Sequence, residues 1–275
     1  MLTLVSYNIY KSSFLLGEKR HESWYGHNLW HYLFDLCMQT IPGITAERGE
    51  IPTNASRSRL AQLHRRYHTK PQYKPGPRAD AVYRRTQHGH SQIEHGASEI
   101  SPKYMDSKCA ADTIKIVRLM RDFIARINRY TNGCEEVLRG VVVFGVVCHG
   151  PSFRVLYMTC PSGNTTVLRS GPDYTIPAQI HEFGRMGRIF SAILGLRDIV
   201  VRNEALIQKA ETRPGSPSPG GVRILWSDGD EETGTDEAGV GDSNATDDSV
   251  TGESDTEVEG GDEADSVPDC ESKQT

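Results

Sequence analysis

Apolar positions recur at helical spacing in three places along the chain, and crowd into short β-branched runs between them. The first helical stretch covers residues 18–40, where Leu29, Trp30, Leu33, Leu36 and Cys37 share one face. Ile41-Pro42-Gly43 ends it, because proline disfavours helix at the preceding residue and glycine frees the turn. Residues 43–76 are polar and basic, and only 58–67 reads as helical there, with loop over 71–77. Short strands are predicted at 79–84 and 92–101, separated by a polar turn at 86–89. A long amphipathic helix follows over 108–130. Ile116, Val117, Met120, Phe123, Ile124 and Ile127 form its stripe, and Thr131-Asn132-Gly133 is its stop.

Residues 140–149 are a continuous β-branched run, with Val141, Val142, Val143, Val146 and Val147, and read as a buried central strand. Strands at 153–159 and 165–169 continue it as a meander across a turn at 161–164. A last helix is predicted over 177–209, with Ile180, Phe183, Ile189, Ile193, Leu194 and Val200 facing inward. This order of elements argues α/β or α+β, with a mixed sheet flanked by helices. Beyond residue 211 the chain turns to Pro, Gly and Ser and then to Asp, Glu, Gly and Thr, too poor in apolar groups to offset the entropy of ordering. The expected organisation is an N-terminal segment at 1–17, a domain over 18–210 and a disordered acidic tail over 211–275.

Charge sharpens that division. The 275 residues carry a formal net charge of −5, but residues 227–275 hold 18 Asp and Glu against one Lys, which leaves residues 1–226 at +12. A basic body suits a polyanion, because neutralising phosphates releases counterions. Nucleic acid is therefore the expected partner, with Arg57, Arg59, Arg65, Arg66, Lys115 and Arg118 as candidate phosphate contacts. The same basic run, from Arg57 to Lys70, suits nuclear import or a plain solvated helix face. The six cysteines form no CxxC pair, the first ten residues lack a secretory pattern, and the longest apolar stretch, near 141–148, is far too short for a membrane span. An intracellular, reduced protein with no membrane partner is the expectation.

The chemistry concentrates in two adjacent predicted strands. Arg78-Ala79-Asp80 lies in the first, and Glu94-His95-Gly96-Ala97-Ser98-Glu99-Ile100-Ser101 fills the second. If the two pair as a hairpin, Asp80 and Glu99 project to one side. Two carboxylates are the minimum for Mg²⁺, which keeps several waters. Such an ion activates water and stabilises phosphoryl charge, and a nearby lysine assists. Without such an ion, Asp80 is a turn residue and Glu94 and Glu99 are solvated. The i,i+4 pairs His27/His31 and His64/His68 offer a weaker zinc site, with no HExxH pattern to support it.

These segments resemble the PD-(D/E)XK nuclease-like superfamily, in particular a divergent group found largely in fungal genomes. In that group a helix bearing an acidic residue precedes an R-x-D strand, an E-x-G-x-x-E strand, a long helix and a strand meander. The matching residues here are Glu22 ahead of Trp30, Arg78-Ala79-Asp80, Glu94 to Ile100, the helix with Lys115 to Asp122, the strands after it, and Arg197-Asp198-Ile199-Val200 in the last helix. The resemblance covers roughly residues 18–205. It implies a restriction-endonuclease-like fold, Mg²⁺-dependent cleavage of DNA or RNA, Asp80 and Glu99 as metal ligands and catalytic carboxylates, and Glu22 as an accessory acid. The superfamily has Glu-x-Lys where this chain has Glu99-Ile100-Ser101, so Lys103, or else Lys108, is the expected stand-in for the lysine. A nucleic-acid-binding descendant without catalysis, and an intracellular protein-interaction domain, are the rival readings.

In the tail, Val222, Ile224 and Leu225 form a β-branched patch just ahead of Asp228-Gly229-Asp230-Glu231-Glu232, which resembles a SUMO-interacting motif able to add a strand to a partner's sheet edge. The opposed charges of tail and body also predict competition between the tail and nucleic acid. Deleting residues 212–275 is expected to tighten DNA binding at low salt, measured by fluorescence anisotropy across a salt titration; an unchanged salt slope would rule the competition out.

Overall fold

Backbone pairing joins six strands into one sheet in chain order, and helices cover both of its faces. A computed structural model describes residues 20–67, 77–86, 93–102, 106–163 and 165–212. The acidic tail, the Val222, Ile224, Leu225 patch and Lys103 lie outside the described residues.

Helix α1 runs through three contiguous stretches, Glu22–Tyr25, Gly26–Asp35 and Leu36–Gln39. The middle stretch is wound with wide i→i+5 turns, as where the Leu36 amide donates to the His31 carbonyl. Strand β1 (Ile44–Pro52) and helix α2 (Asn54–Arg66) come next, then β2 (Arg78–Arg85) and β3 (Glu94–Ser101). Helices α3 (Asp106–Tyr130) and α4 (Glu135–Gly140) lead to β4 (Val142–His149), β5 (Ser152–Thr159) and β6 (Val167–Thr175). A 3₁₀ segment (Ile180–Arg185) enters the closing helix α5 (Met186–Glu211). No helix among the described residues is long and apolar enough to cross a membrane.

All neighbouring strands are antiparallel except β3 and β4, which run parallel. Parallel strands need a crossover, and α3 supplies it. Its stripe buries Ile116, Met120, Phe123, Ile124 and Ile127 against Val82, Ala97, Val143 and Val147. Gly145 makes this close approach possible, since a Cβ there would stand 2.1 Å from Ile116 Cγ2. On the other face α1 and α5 bury Trp30, Phe34, Ile189, Ile193 and Val200 against Tyr83, Phe144 and Phe153. Gly96 opens room for the Phe144 ring: a Cβ at Gly96 would lie 2.5 Å from that ring, whose centroid packs 5.5 Å from that of Tyr83.

Several elements differ from the sequence reading. The polar stretch after Gly43 contains a full strand, because β1 finds its partner in β2 and needs little apolar content at the sheet edge. Helix α4 also went unread, being only one and a half turns long and rich in charge. Strand β6 continues past Arg169 through Gly171-Pro172, which edge strands and register shifts tolerate. In the last helix Ile189, Ile193 and Val200 face inward, whereas Phe183 and Leu194 are exposed; Phe183 lies in the 3₁₀ segment, which breaks the helical phase the periodicity assumed, and Leu194 lies off the inward face of the α-helix. The Ile180 side chain lies outside what is described.

Glu94 is the sharpest correction. It is buried rather than solvated, and its carboxylate accepts the amides of Asn54 (2.7 Å) and Ala55 (2.8 Å), capping the start of α2 from 40 residues away. Arg84 stands 3.7 Å from it. Four amides at a helix start lack intrahelical partners, and a buried carboxylate satisfies two here. Glu94→Ala is expected to lower stability by about 3 kcal/mol, read as a lower urea midpoint, because it strands those amides and leaves the buried Arg84 guanidinium with Glu47 but without its second carboxylate.

Candidate functional site

The β2–β3 ladder sets Ala81 against Ser98 and Val82 against Ala97. One further step of the same register places Asp80 opposite Glu99. Val82 and Ala97 belong to the core beneath α3, and side chains alternate along a strand, so Asp80 and Glu99 share that face. The structure thus brings together the two carboxylates that the sequence singled out.

Each is held differently. Asp80 lies within its strand rather than at a turn, and its Oδ2 accepts the Ile100 amide at 2.7 Å. Glu99 is only 4 % exposed, and its Oε2 accepts from Lys115 Nζ at 2.9 Å. Glu99 Oε1 is buried and has no hydrogen-bond partner among the described residues. Asp112, one helical turn before Lys115 on α3, is likewise buried and leaves its Oδ2 unpartnered among them.

Glu22 enters from the start of α1 and pairs with Lys108 at 3.2 Å. Its charge reaches both Asp80 and Asp112. Glu50 approaches from the irregularity in β1, where Gly49 and Glu50 both take positive φ (97° and 55°) and the register to β2 shifts. Glu22, Glu50, Asp80, Glu99 and Asp112 thus share one electrostatic neighbourhood with Lys108 and Lys115.

This concentration of like charge shows in the carboxyls. Burial pushes Glu99 from its ordinary 4.5 up to about 8; the Asp80 charge adds to the rise, and Lys115 offsets only part of it. Burial raises Asp80 and Asp112 as well, with the Ile100 amide opposing it at Asp80 and Lys108 at Asp112.

Other candidates fare variously. Lys115, read as a phosphate contact, is the ammonium of the carboxylate cluster. Arg59 is engaged by Asp122 at 2.9 Å. Arg57, Arg65 and Arg66 are exposed on α2, and Arg118 is half-buried on α3. The His27/His31 pair is drawn apart: His27 Nδ1 lies 2.8 Å from the Ser23 carbonyl oxygen and His31 Nδ1 lies 2.9 Å from Asp35. His68 lies outside the described residues. Among the described residues no group of three or more His, Cys, Asp or Glu side chains stands close enough to hold a metal ion in its present arrangement. Asp112 was missed in the sequence, although its i,i+3 spacing from Lys115 on an amphipathic helix was a usable signal.

No family model matches this chain, and no curated protein or solved structure matches it either.

A carboxyl raised on folding stabilises the fold below its unfolded value, and that contribution is lost as pH rises to its folded value. For Glu99 the window runs from about 4.5 to about 8. Thermal melts across this window should show wild type losing stability with pH more steeply than Glu99→Gln. Parallel curves would contradict the raised Glu99 carboxyl.

Proposed function

We propose that this domain is a divalent-cation-dependent phosphodiesterase of the PD-(D/E)XK nuclease-like type that acts on DNA or RNA, with Lys115 in the role of the lysine missing after Glu99. The observation that carries this reading is the buried Glu99 carboxylate, facing Asp80 across the ladder, bound on one oxygen by Lys115 and unpartnered among the described residues on the other. The order of antiparallel β2 and β3, crossover α3 and parallel β4 supports it. So does the acidic residue at the start of α1, as the resembled motif requires.

The donor set suits a hard cation: oxygen ligands only, like charges held together, and buried lone pairs left open at Glu99 and Asp112. Asp80 and Glu99 would hold Mg²⁺, with Glu22 beside them, and the bound ion would supply activated water and charge stabilisation at phosphorus. The chain's own residues do the rest. The Ile100 amide fixes Asp80 Oδ2, so that carboxylate is aimed before any ligand arrives. Glu99 must give up its proton for an ion to bind, which favours activity at higher pH. Lys115, anchored by Glu99, presents its ammonium to an incoming phosphate and stabilises the charge that develops on it. Arg57, Arg65 and Arg66 offer exposed cations for the backbone of a nucleic acid, and the basic run containing them suits nuclear import.

With Mg²⁺ or Mn²⁺, cleavage of labelled DNA and RNA is expected from wild type and lost in Asp80→Ala and Glu99→Ala. Lys115→Ala is expected to lower kcat by on the order of 10²-fold, as removing one transition-state donor does. Cleavage that survives both carboxylate substitutions would sink this site. Salt-dependent binding without cleavage would instead identify a binding module of the same fold, and neither behaviour would leave the interaction-domain reading.

A further inference from the structure

A second cluster lies at the C-terminal ends of β3 and β4. Their parallel register sets Ser101 beside His149. Ser101 Oγ is 2.8 Å from His149 Nδ1, and the other ring nitrogen, Nε2, is 3.0 Å from Cys109 Sγ on α3. Ser101 Oγ also lies 3.5 Å from the Cys148 carbonyl oxygen. With the hydroxyl proton directed at that carbonyl, Oγ accepts Nδ1–H. Nε2 is then left with its lone pair facing the thiol. The result is a nucleophile, a base within reach of it, and a third group that orients the base.

Exposure fits that division of labour. Ser101 and His149 are buried, while Cys109 is partly exposed, so the base is sheltered and the sulfur reachable. Burial raises the Cys109 thiol above its ordinary value and lowers His149 below its own. Both shifts keep the proton on sulfur in the resting protein, so its transfer to the imidazole has to accompany attack on the electrophile. Arg154 on β5, held by Asp173 on β6 at 2.7 and 2.6 Å, acts on both Cys109 and His149. Asp112 and Thr113 act on Cys109, and Lys108 on His149.

We propose that Cys109 is a base-activated nucleophile and that hydroperoxides are the electrophiles it takes. The sulfur attacks one peroxide oxygen, so an S–O bond forms as the O–O bond breaks. The thiol proton passes to His149 Nε2 and then to the departing oxygen. Cysteine is oxidised to sulfenic acid, and the peroxide is reduced to water or an alcohol. The departing oxygen needs a cation and a proton, and Arg154 and the protonated His149 supply them. Neither requires the phosphodiesterase reading, so this site stands or falls by itself.

The test treats the full chain with hydrogen peroxide, traps sulfenic acid with dimedone and maps the labelled peptides over time. Cys109 is expected to label first, ahead of Cys134 and Cys270. His149→Gln is expected to slow it by on the order of 10²-fold, the low end of what a positioned base contributes. Ser101→Ala should slow it in the same direction with little change in the thermal melt. Cys37, Cys148 and Cys160 are buried, so their labelling in His149→Gln would reveal an opened core, and the Ser101→Ala rate then decides. Labelling of Cys109 no faster than Cys134, or a Cys109 rate unmoved by Ser101→Ala, would overturn the proposal.

Discussion

Glu99 is buried beside a second carboxylate, and the cost of holding it there shapes this end of the sheet. A charged carboxylate loses hydration on burial, and a like charge opposite makes ionisation worse. Lys115 returns some of that energy from 2.9 Å, yet the carboxyl still rises to about 8. Burial wins over the ion pair. The arrangement persists because neighbouring elements fix it: the β2–β3 register sets the two carboxylates face to face, and Gly145 lets α3 lie close enough to deliver Lys115 and Asp112.

The other buried carboxylates behave differently, and the contrast separates supports from the candidate site. Glu94 uses both oxygens to cap α2. Asp35 uses both for Arg48, with His31 and Tyr83 completing the set. Glu204 ties His95 to Arg85. Each joins elements distant in sequence and leaves little acceptor capacity open, as buried polar groups normally do. Glu99 and Asp112 each keep a buried oxygen without a hydrogen-bond partner among the described residues. They are the buried carboxylate oxygens so left among the described residues, and the proposed cation site rests on them.

Much of the fold was legible from periodicity. The α3 stripe, the β-branched run of β4 and the alternation of β5 each come from local patterns that burial enforces residue by residue. Strand β1 was not legible, because Ile44–Pro52 carries few apolar residues and becomes a strand only through pairing with β2. Phe183 was misread because it falls in the 3₁₀ segment, out of phase with the helix, and Leu194 because it sits one residue, about 100°, round from the Ile189, Ile193 and Val200 face. In the site, Asp80 and Glu99 stood out by type and spacing, while Lys115 was visible only as one more positive charge. Its partner sixteen positions earlier in the chain lies across a helix–sheet interface, and no spacing rule encodes that distance.

What the chain determined alone was composition-level and local: which segments are helical or extended, the opposed charges of body and tail, and two acidic residues in adjoining strands. These depend on near neighbours, where sterics and amphipathic period act directly. Tertiary structure decided which carboxylates are capped and which are left open, that a lysine of α3 reaches Glu99, and that Ser101 stands against His149. Each is a relation between elements far apart in sequence, created only when the crossover of α3 brings β3 and β4 into parallel register.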